Sequence, residues 1–191
     1  DALCIVLDGS STGDGSGALV REIAHSLIDW FVESRDAMTE QLLIDRLRAI
    51  HAAISSRFPR GSASYMAAYV TASREALILH AGDCLLGRRQ PDGSLTWLSQ
   101  PHTLANARSA VPITTLAAIP ARHRLTRSFR GREFMPPDVQ TTTVGEGLAI
   151  ATDGFWAELS AGEQARFMDG GDIAMPEDGD DRSVLVIARQ S

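Results

Sequence analysis

Cysteine is scarce in this chain. Cys4 and Cys84 are the two cysteines in 191 residues, and neither stands at metal-site spacing from the other or from a histidine. That argues against a zinc site. Both lie in apolar segments that read as strands, which suits buried thiols of a reducing compartment better than a disulfide. Positive charge is also short: the formal net charge is −6, which argues against nucleic acid as a partner, since phosphate binding needs a basic surface. No apolar run approaches the roughly 20 residues needed to span a bilayer, and no signal-peptide pattern opens the sequence. These absences lead us to expect a cytoplasmic location, no nucleic-acid partner and no membrane segment. No internal repeat or interdomain linker interrupts the chain, so we expect a single domain over 1–191. An initial Met is missing as well. The chain starts at Asp1 directly before a strand, and we expect a further strand upstream.

What is present is ordinary in bulk, with 44% hydrophobic and 22% charged residues, as in globular domains. The pattern is more telling. Three acidic stretches sit at the ends of apolar runs: Leu3–Leu7 leads into Asp8-Gly9, Leu148–Thr152 leads into Asp153-Gly154, and Asp180-Asp181 precedes Ser183–Ile187. Such runs bounded by glycine read as buried strands. Carboxylates gathered at strand ends need a cation to share their charge. Hard divalent ions such as Mg²⁺ and Mn²⁺ prefer oxygen ligands of this kind. Each stretch also has a plainer reading. Asp8-Gly9 is a turn after a strand, Asp153 caps a helix, and Asp180 belongs to a solvated acidic loop.

Along the chain, 2–7 reads as a strand, 8–17 as a small polar loop, and 18–34 as a helix with Val20, Ile23, Ala24, Leu27 and Phe31 at helical spacing. Thr39 starts a second helix, with Leu43, Leu47, Ile50 and Ile54 as its stripe, which ends before Pro59 and Gly61. Strands follow at 63–71, 75–81 and 84–89, with a return strand at 95–98 after the Pro91-Asp92-Gly93 turn, as an antiparallel meander. Residues 101–137, rich in arginine and proline, read as a flexible basic flap. A hairpin of 139–144 with 147–152, a helix near 160–168, an acidic loop 169–181 and a last strand 183–188 complete the chain. Helices grouped between runs of strands give an α+β class.

Six segments in order resemble the metal-dependent protein phosphatases of the type 2C family: Val6-Leu7-Asp8-Gly9, Ala81-Gly82-Asp83-Cys84, Leu95-Thr96 through Pro101-His102-Thr103-Leu104, Leu125-Thr126-Arg127-Ser128-Phe129, Ala151-Thr152-Asp153-Gly154-Phe155-Trp156, and Asp180-Asp181-Arg182-Ser183-Val184. The resemblance implies a four-layer α-β-β-α sandwich, with two antiparallel sheets flanked by helix pairs. It implies hydrolysis of phosphoserine and phosphothreonine on proteins, opposing a Ser/Thr kinase, with two Mn²⁺ or Mg²⁺ ions. Asp8 would bridge both ions, the Gly9 carbonyl would coordinate one, and Asp153 and Asp180 would hold the other. Asp83 would support a looser third metal or hydrogen-bond a strand end. His102 would be a general acid or a hydrogen-bonded loop residue.

The chain also departs from the family pattern. Ser10-Ser11-Thr12-Gly13 stands where the family carries His-Gly-Gly, Ala157 stands where it carries an acidic ligand of a third metal, and nothing matches its early phosphate-binding Arg. Arg127 or another arginine of 108–132 is the substitute we expect. These departures keep a second reading open: a pseudophosphatase that binds a phosphoprotein or other partner without turnover.

Overall fold

The computed structural model describes residues 1–10, 15–174 and 179–188. In chain order its elements begin with β1 (Ala2–Gly9), α1 (Ser16–Glu33), α2 (Glu40–Ile54), β2 (Ser62–Val70), β3 (Glu75–Ala81), β4 (Leu85–Arg89) and β5 (Leu95–Trp97). After them come α3 (Ile113–Leu116), β6 (Phe129–Arg130), β7 (Asp138–Thr143), β8 (Gly147–Ala151), α4 (Asp153–Trp156), α5 (Ala161–Met168) and β9 (Val184–Ala188), with single 3-10 turns at Leu104–Asn106 and Pro120–His123. The chain forms two units: Asp1–Gly82 with Arg127–Thr142, and Asp83–Thr126 with Thr143–Ser191. No helix among the described residues is long and apolar enough to cross a membrane.

The first unit holds one antiparallel sheet in the order β1-β2-β3-β7, with the short β6 paired to the start of β2. Its core joins Leu19, Ile23 and Leu27 of α1 and Leu43, Leu47, Ile50 and Ile54 of α2 to Ala63, Tyr65 and Ala67 of β2. The α2 stripe is the one its spacing predicts. The Thr39 side chain accepts the Leu42 N–H at 3.2 Å and caps that helix. Among the described residues no side chain caps α1, which follows Gly15 at φ 88°.

The second unit holds the other antiparallel sheet, in the order β5-β4-β8-β9. Leu85, Ala151, Phe155, Trp156 and Leu159 pack there with Ile113 and Leu116 of α3. The Ser160 hydroxyl and the Glu163 carboxylate cap α5 reciprocally, a capping box.

Two expectations need correction. The expected hairpin of 139–144 with 147–152 does not form: β7 lies beside β3, and β8 lies between β4 and β9 in the other sheet. Composition explains the parting. β7 is Thr-rich and has no buried residue, while all five residues of β8 are buried, as a central strand requires. The expected meander also splits, with β2 and β3 in one sheet and β4 and β5 in the other. The break falls at Gly82, whose φ is 113°, and where an added Cβ would stand 2.2 Å from Ser64 Oγ; only glycine fits there.

The stretch read as a flap carries three helical turns and β6. Val111, Ile113, Leu116 and Ile119 anchor its first part in the second core. Its last part belongs to the first unit, where Phe129 and Arg130 pair with Ala63 and Ser62 of β2.

Candidate functional site

β8 is buried along its length and delivers Thr152 and Asp153, 4% and 5% exposed, at its end. Thr152 occupies the N-cap position of α4, so Asp153 is not the cap. Thr152 Oγ1 accepts the Ser183 N–H at 3.0 Å and donates to the Asp181 carbonyl at 3.2 Å, tying the end of β8 to the approach of β9. At Gly154 an added Cβ would meet the Asp181 carbonyl oxygen at 2.5 Å and that of Asp180 at 3.1 Å. The Asp153-Gly154 and Asp180-Asp181 motifs, remote in sequence, therefore meet through a backbone approach that only glycine allows.

Asp180 itself is exposed. Its N–H donates to Glu158 Oε1 at 3.1 Å, and its Oδ1 accepts the Asp181 N–H at 2.9 Å. Arg182 closes the clasp: it donates to Glu158 Oε2 at 3.3 Å and to the Ala174 carbonyl at 3.0 Å, with a side chain only 4% exposed. Asp83, at the approach to β4, is buried, and its carbonyl accepts the Trp156 Nε1–H at 2.8 Å. Asp83, Asp153 and Asp180 are thus all tied to α4 and its flanks. The His102 carbonyl accepts the Thr126 N–H at 2.8 Å, which fixes that loop.

Arg122 is the site residue that sequence reasoning failed to single out. Its NH1 donates to Asp153 Oδ2 at 2.8 Å, and the two side chains are 10% and 7% exposed. Its guanidinium also lies 5.9 Å from the centre of the Trp156 ring. An unpaired carboxylate at such burial would cost several kcal/mol, and Arg122 supplies the missing charge. Among the many arginines of 108–132 the one local signal is Pro120, which starts the 3-10 turn that carries Arg122.

In the first unit, Asp8 and Gly9 end β1, opposite Ser64 and Ala63 of β2. The next residue, Ser10, donates its N–H to the Ser62 carbonyl at 3.0 Å. A Cβ on Gly9 would touch the Ser16 backbone and Val20 Cγ2 at 3.2 Å, so the start of α1 crowds this turn. Ser11, Thr12 and Gly13, part of the departure from the His-Gly-Gly pattern, lie outside the described residues. The buried Tyr65 on β2 has a hydroxyl with no hydrogen-bond partner among the described residues. Burial pushes its pKa well up, against a smaller opposing pull from Arg127.

The donor set suits a hard divalent cation. The candidates offer carboxylate and carbonyl oxygens without thiolate or imidazole, and the buried Asp153 carboxylate already accommodates one positive partner, Arg122.

A family model described as protein phosphatase 2C matches residues 1–174. No curated protein sequence matches. Among solved structures, the serine/threonine phosphatase Stp1 from Staphylococcus aureus is similar over 84% of this chain and 68% of its own, at 15% identity and TM-score 0.74. The catalytic domain of the serine/threonine protein phosphatase PstP, in complex with two manganese ions, is similar over 87% and 74%, at 16% identity and TM-score 0.67. The phosphatase MsPP from Mycobacterium smegmatis, in complex with cacodylate, is similar over 81% and 69%, at 23% identity and TM-score 0.64. At these identities the likeness is one of fold.

Proposed function

The chain belongs to the protein phosphatase 2C family, protein serine/threonine phosphatases, and on that premise we propose that it removes phosphate from phosphoserine and phosphothreonine with two Mn²⁺ or Mg²⁺ ions. The ligands we assign are the Asp8 carboxylate, the Gly9 carbonyl, and the Asp153 and Asp180 carboxylates, with Asp83 toward a looser third ion. When bound, such a pair supplies an acidified water as nucleophile and positive charge for the phosphoryl oxygens. The single observation that carries this reading is the junction at Gly154, where the Asp180-Asp181 backbone presses against the turn behind the buried Asp153. Gly9 keeps a backbone carbonyl available at a crowded turn. Glu158 and Arg182 hold the Asp180 backbone in place. Arg122 neutralises Asp153 and keeps a carboxylate in a buried position. We place the protein in the cytoplasm, opposing a Ser/Thr kinase, in keeping with Cys4 and Cys84 being outside any disulfide.

Hydrolysis of p-nitrophenyl phosphate with Mn²⁺ tests the reading. The protein should be active, and Asp153→Asn should lower kcat/KM by about 10³-fold, comparable to losing a main electrostatic contributor. An inactive protein that Asp153→Asn leaves unchanged sinks it.

The Arg122–Asp153 ion pair and Ala157 favour a second reading, a catalytically impaired module that binds phosphoproteins. Calorimetric titration with Mn²⁺ separates the two, because a pure binding module has no need of two ions.

A further inference from the structure

The stretch from Gly93 to Arg132 contains six arginines and no acidic residue, in a chain whose net charge is −6. Four of the six reach outside the stretch for a carboxylate: Arg122 meets Asp153, Arg127 meets Asp138, and Arg130 and Arg132 meet Glu133. Arg108 and Arg124 do not. Both are exposed, and among the described residues neither guanidinium has an ion pair or hydrogen bond. Leu104 stands with them. It is 47% exposed, and it and Val32 are the exposed large apolar side chains among the described residues.

The grouping follows from a local pairing inside the second unit. Thr103 and Leu125 form an antiparallel bridge. The Leu104 N–H donates to the Arg124 carbonyl at 2.8 Å, and the Thr126 N–H to the His102 carbonyl at 2.8 Å. Side chains alternate along such a pairing. Thr103 is fully buried and faces inward, so Leu104 and the residue opposite it, Arg124, share the outer face. Ala107 keeps helical angles, φ −63° and ψ −23°, after the 3-10 turn of Leu104–Asn106. Arg108 therefore stands about one turn beyond Leu104.

The turn that presents Leu104 is fixed by its own side chains. Asn106 Oδ1 accepts the Thr103 N–H at 3.2 Å and the Thr103 hydroxyl at 2.8 Å, and Asn106 Nδ2 donates to the Pro101 carbonyl at 2.7 Å. A side chain held out on a rigid turn loses little freedom when a partner covers it. Two guanidiniums without partners call for carboxylates, which they bind in a two-pronged fork. Leu104 calls for an apolar side chain. A polypeptide segment supplies both, whereas a phosphate supplies the charge alone.

We propose that Leu104, Arg108 and Arg124 form a docking surface for an acidic segment of a partner protein. An apolar residue of that segment covers Leu104, and carboxylates on either side of it pair with the two arginines. The proposal goes beyond the phosphatase reading and does not rest on it, since no bond is made or broken at this surface.

Two labelled peptides in metal-free buffer test it, one presenting Glu-Glu-Leu-Glu-Glu and the other Glu-Glu-Ser-Glu-Glu between identical neutral flanks. In fluorescence anisotropy the intact protein should bind the leucine peptide about tenfold more tightly than the serine peptide, the effect of one leucine taken out of water. Rising salt should weaken both. Leu104→Ala should bring the two affinities close together. Arg108→Glu combined with Arg124→Glu should abolish binding of both and confer binding of a Lys-Lys-Leu-Lys-Lys peptide. Val32→Ala, which removes the exposed apolar side chain of the other unit, should change nothing. Methyl NMR spectra of the parent locate the contact, because the Leu104 signals should shift as the leucine peptide is added. No binding by the parent, equal affinity for the two peptides, an unaltered preference in Leu104→Ala, an equal loss with Val32→Ala, or unmoved Leu104 signals overturns the proposal. Melting curves verify that the variants are folded.

Discussion

The Arg122 guanidinium stands 2.8 Å from Asp153 Oδ2, with both side chains buried. A cation that approaches Asp153 must share this carboxylate with an arginine or displace it. Arg122→Ala leaves a buried charge uncompensated, and we expect the metal-free protein to lose about 3 kcal/mol of stability. Mn²⁺ should then restore part of the loss, so that the Mn²⁺-induced rise in Tm is larger in the variant than in the parent. Thermal melts with and without the ion measure this. An equal rise in both proteins would mean that Arg122 and the metal do not meet at Asp153.

Glu158 contributes through Asp180, whose N–H it accepts, and through Arg182. Groups that orient a ligand in this way typically alter metal affinity by about 10–100-fold when removed. Glu158→Ala should therefore weaken Mn²⁺ binding by about tenfold in calorimetric titration, and it should lower Tm as well, because the buried Arg182 loses its carboxylate partner. Unchanged affinity would count against Asp180 as a ligand.

Gly154→Ala puts a methyl group 2.5 Å from the Asp181 carbonyl oxygen. Overpacking of this kind costs about 1–3 kcal/mol. The strain falls on the backbone that presents Asp180, so kcat should fall by more than the stability loss explains. Kinetics taken well below the variant's Tm check this, and full activity would show that the junction tolerates displacement.

Tyr65 gives a prediction with a definite sign. Burial raises its pKa above the usual value, with Arg127 opposing more weakly. Above about pH 10 the unfolded tyrosine has lost its proton while the folded one keeps it. The unfolded state then binds fewer protons, and stability falls as pH rises. Tyr65→Phe should remove this contribution to the alkaline slope in denaturant titrations. Near neutral pH it should stabilise the protein by about 1 kcal/mol, because it deletes a buried hydroxyl with no partner among the described residues. A loss of stability instead would reveal that the hydroxyl is satisfied.

The local pattern was legible where neighbours in sequence decide the structure. The α2 stripe of Leu43, Leu47, Ile50 and Ile54 is buried as its spacing requires, and the apolar run of 2–7 forms β1, which extends further to take in Asp8 and Gly9. Pairing was harder to read. The chain between β7 and β8 has the glycines of a hairpin turn, with Gly145 at φ 57°, yet each strand takes partners from far away. Only the contrast between the polar Asp138–Thr143 and the wholly apolar Gly147–Ala151 marked the parting. At the site, the acidic motifs were visible because Asp-Gly after an apolar run is a local signal. Arg122 was not, since its partner lies 31 residues onward and nothing near it separates it from other arginines. Glu158 was equally obscure, because its task is set by the Asp180 backbone.

The interleaving of the two units has a consequence for biosynthesis. The first unit runs from Asp1 to Gly82 and resumes at Arg127–Thr142, while the second begins at Asp83. A ribosome must therefore release β7 before the first sheet can acquire its last strand, by which time much of the second unit has already emerged. Pairings so distant along the polymer close slowly, on a timescale of about milliseconds to seconds. The nascent chain thus passes through a stage in which β3 waits with an open rim, and that interval is where a chaperone would find something to hold.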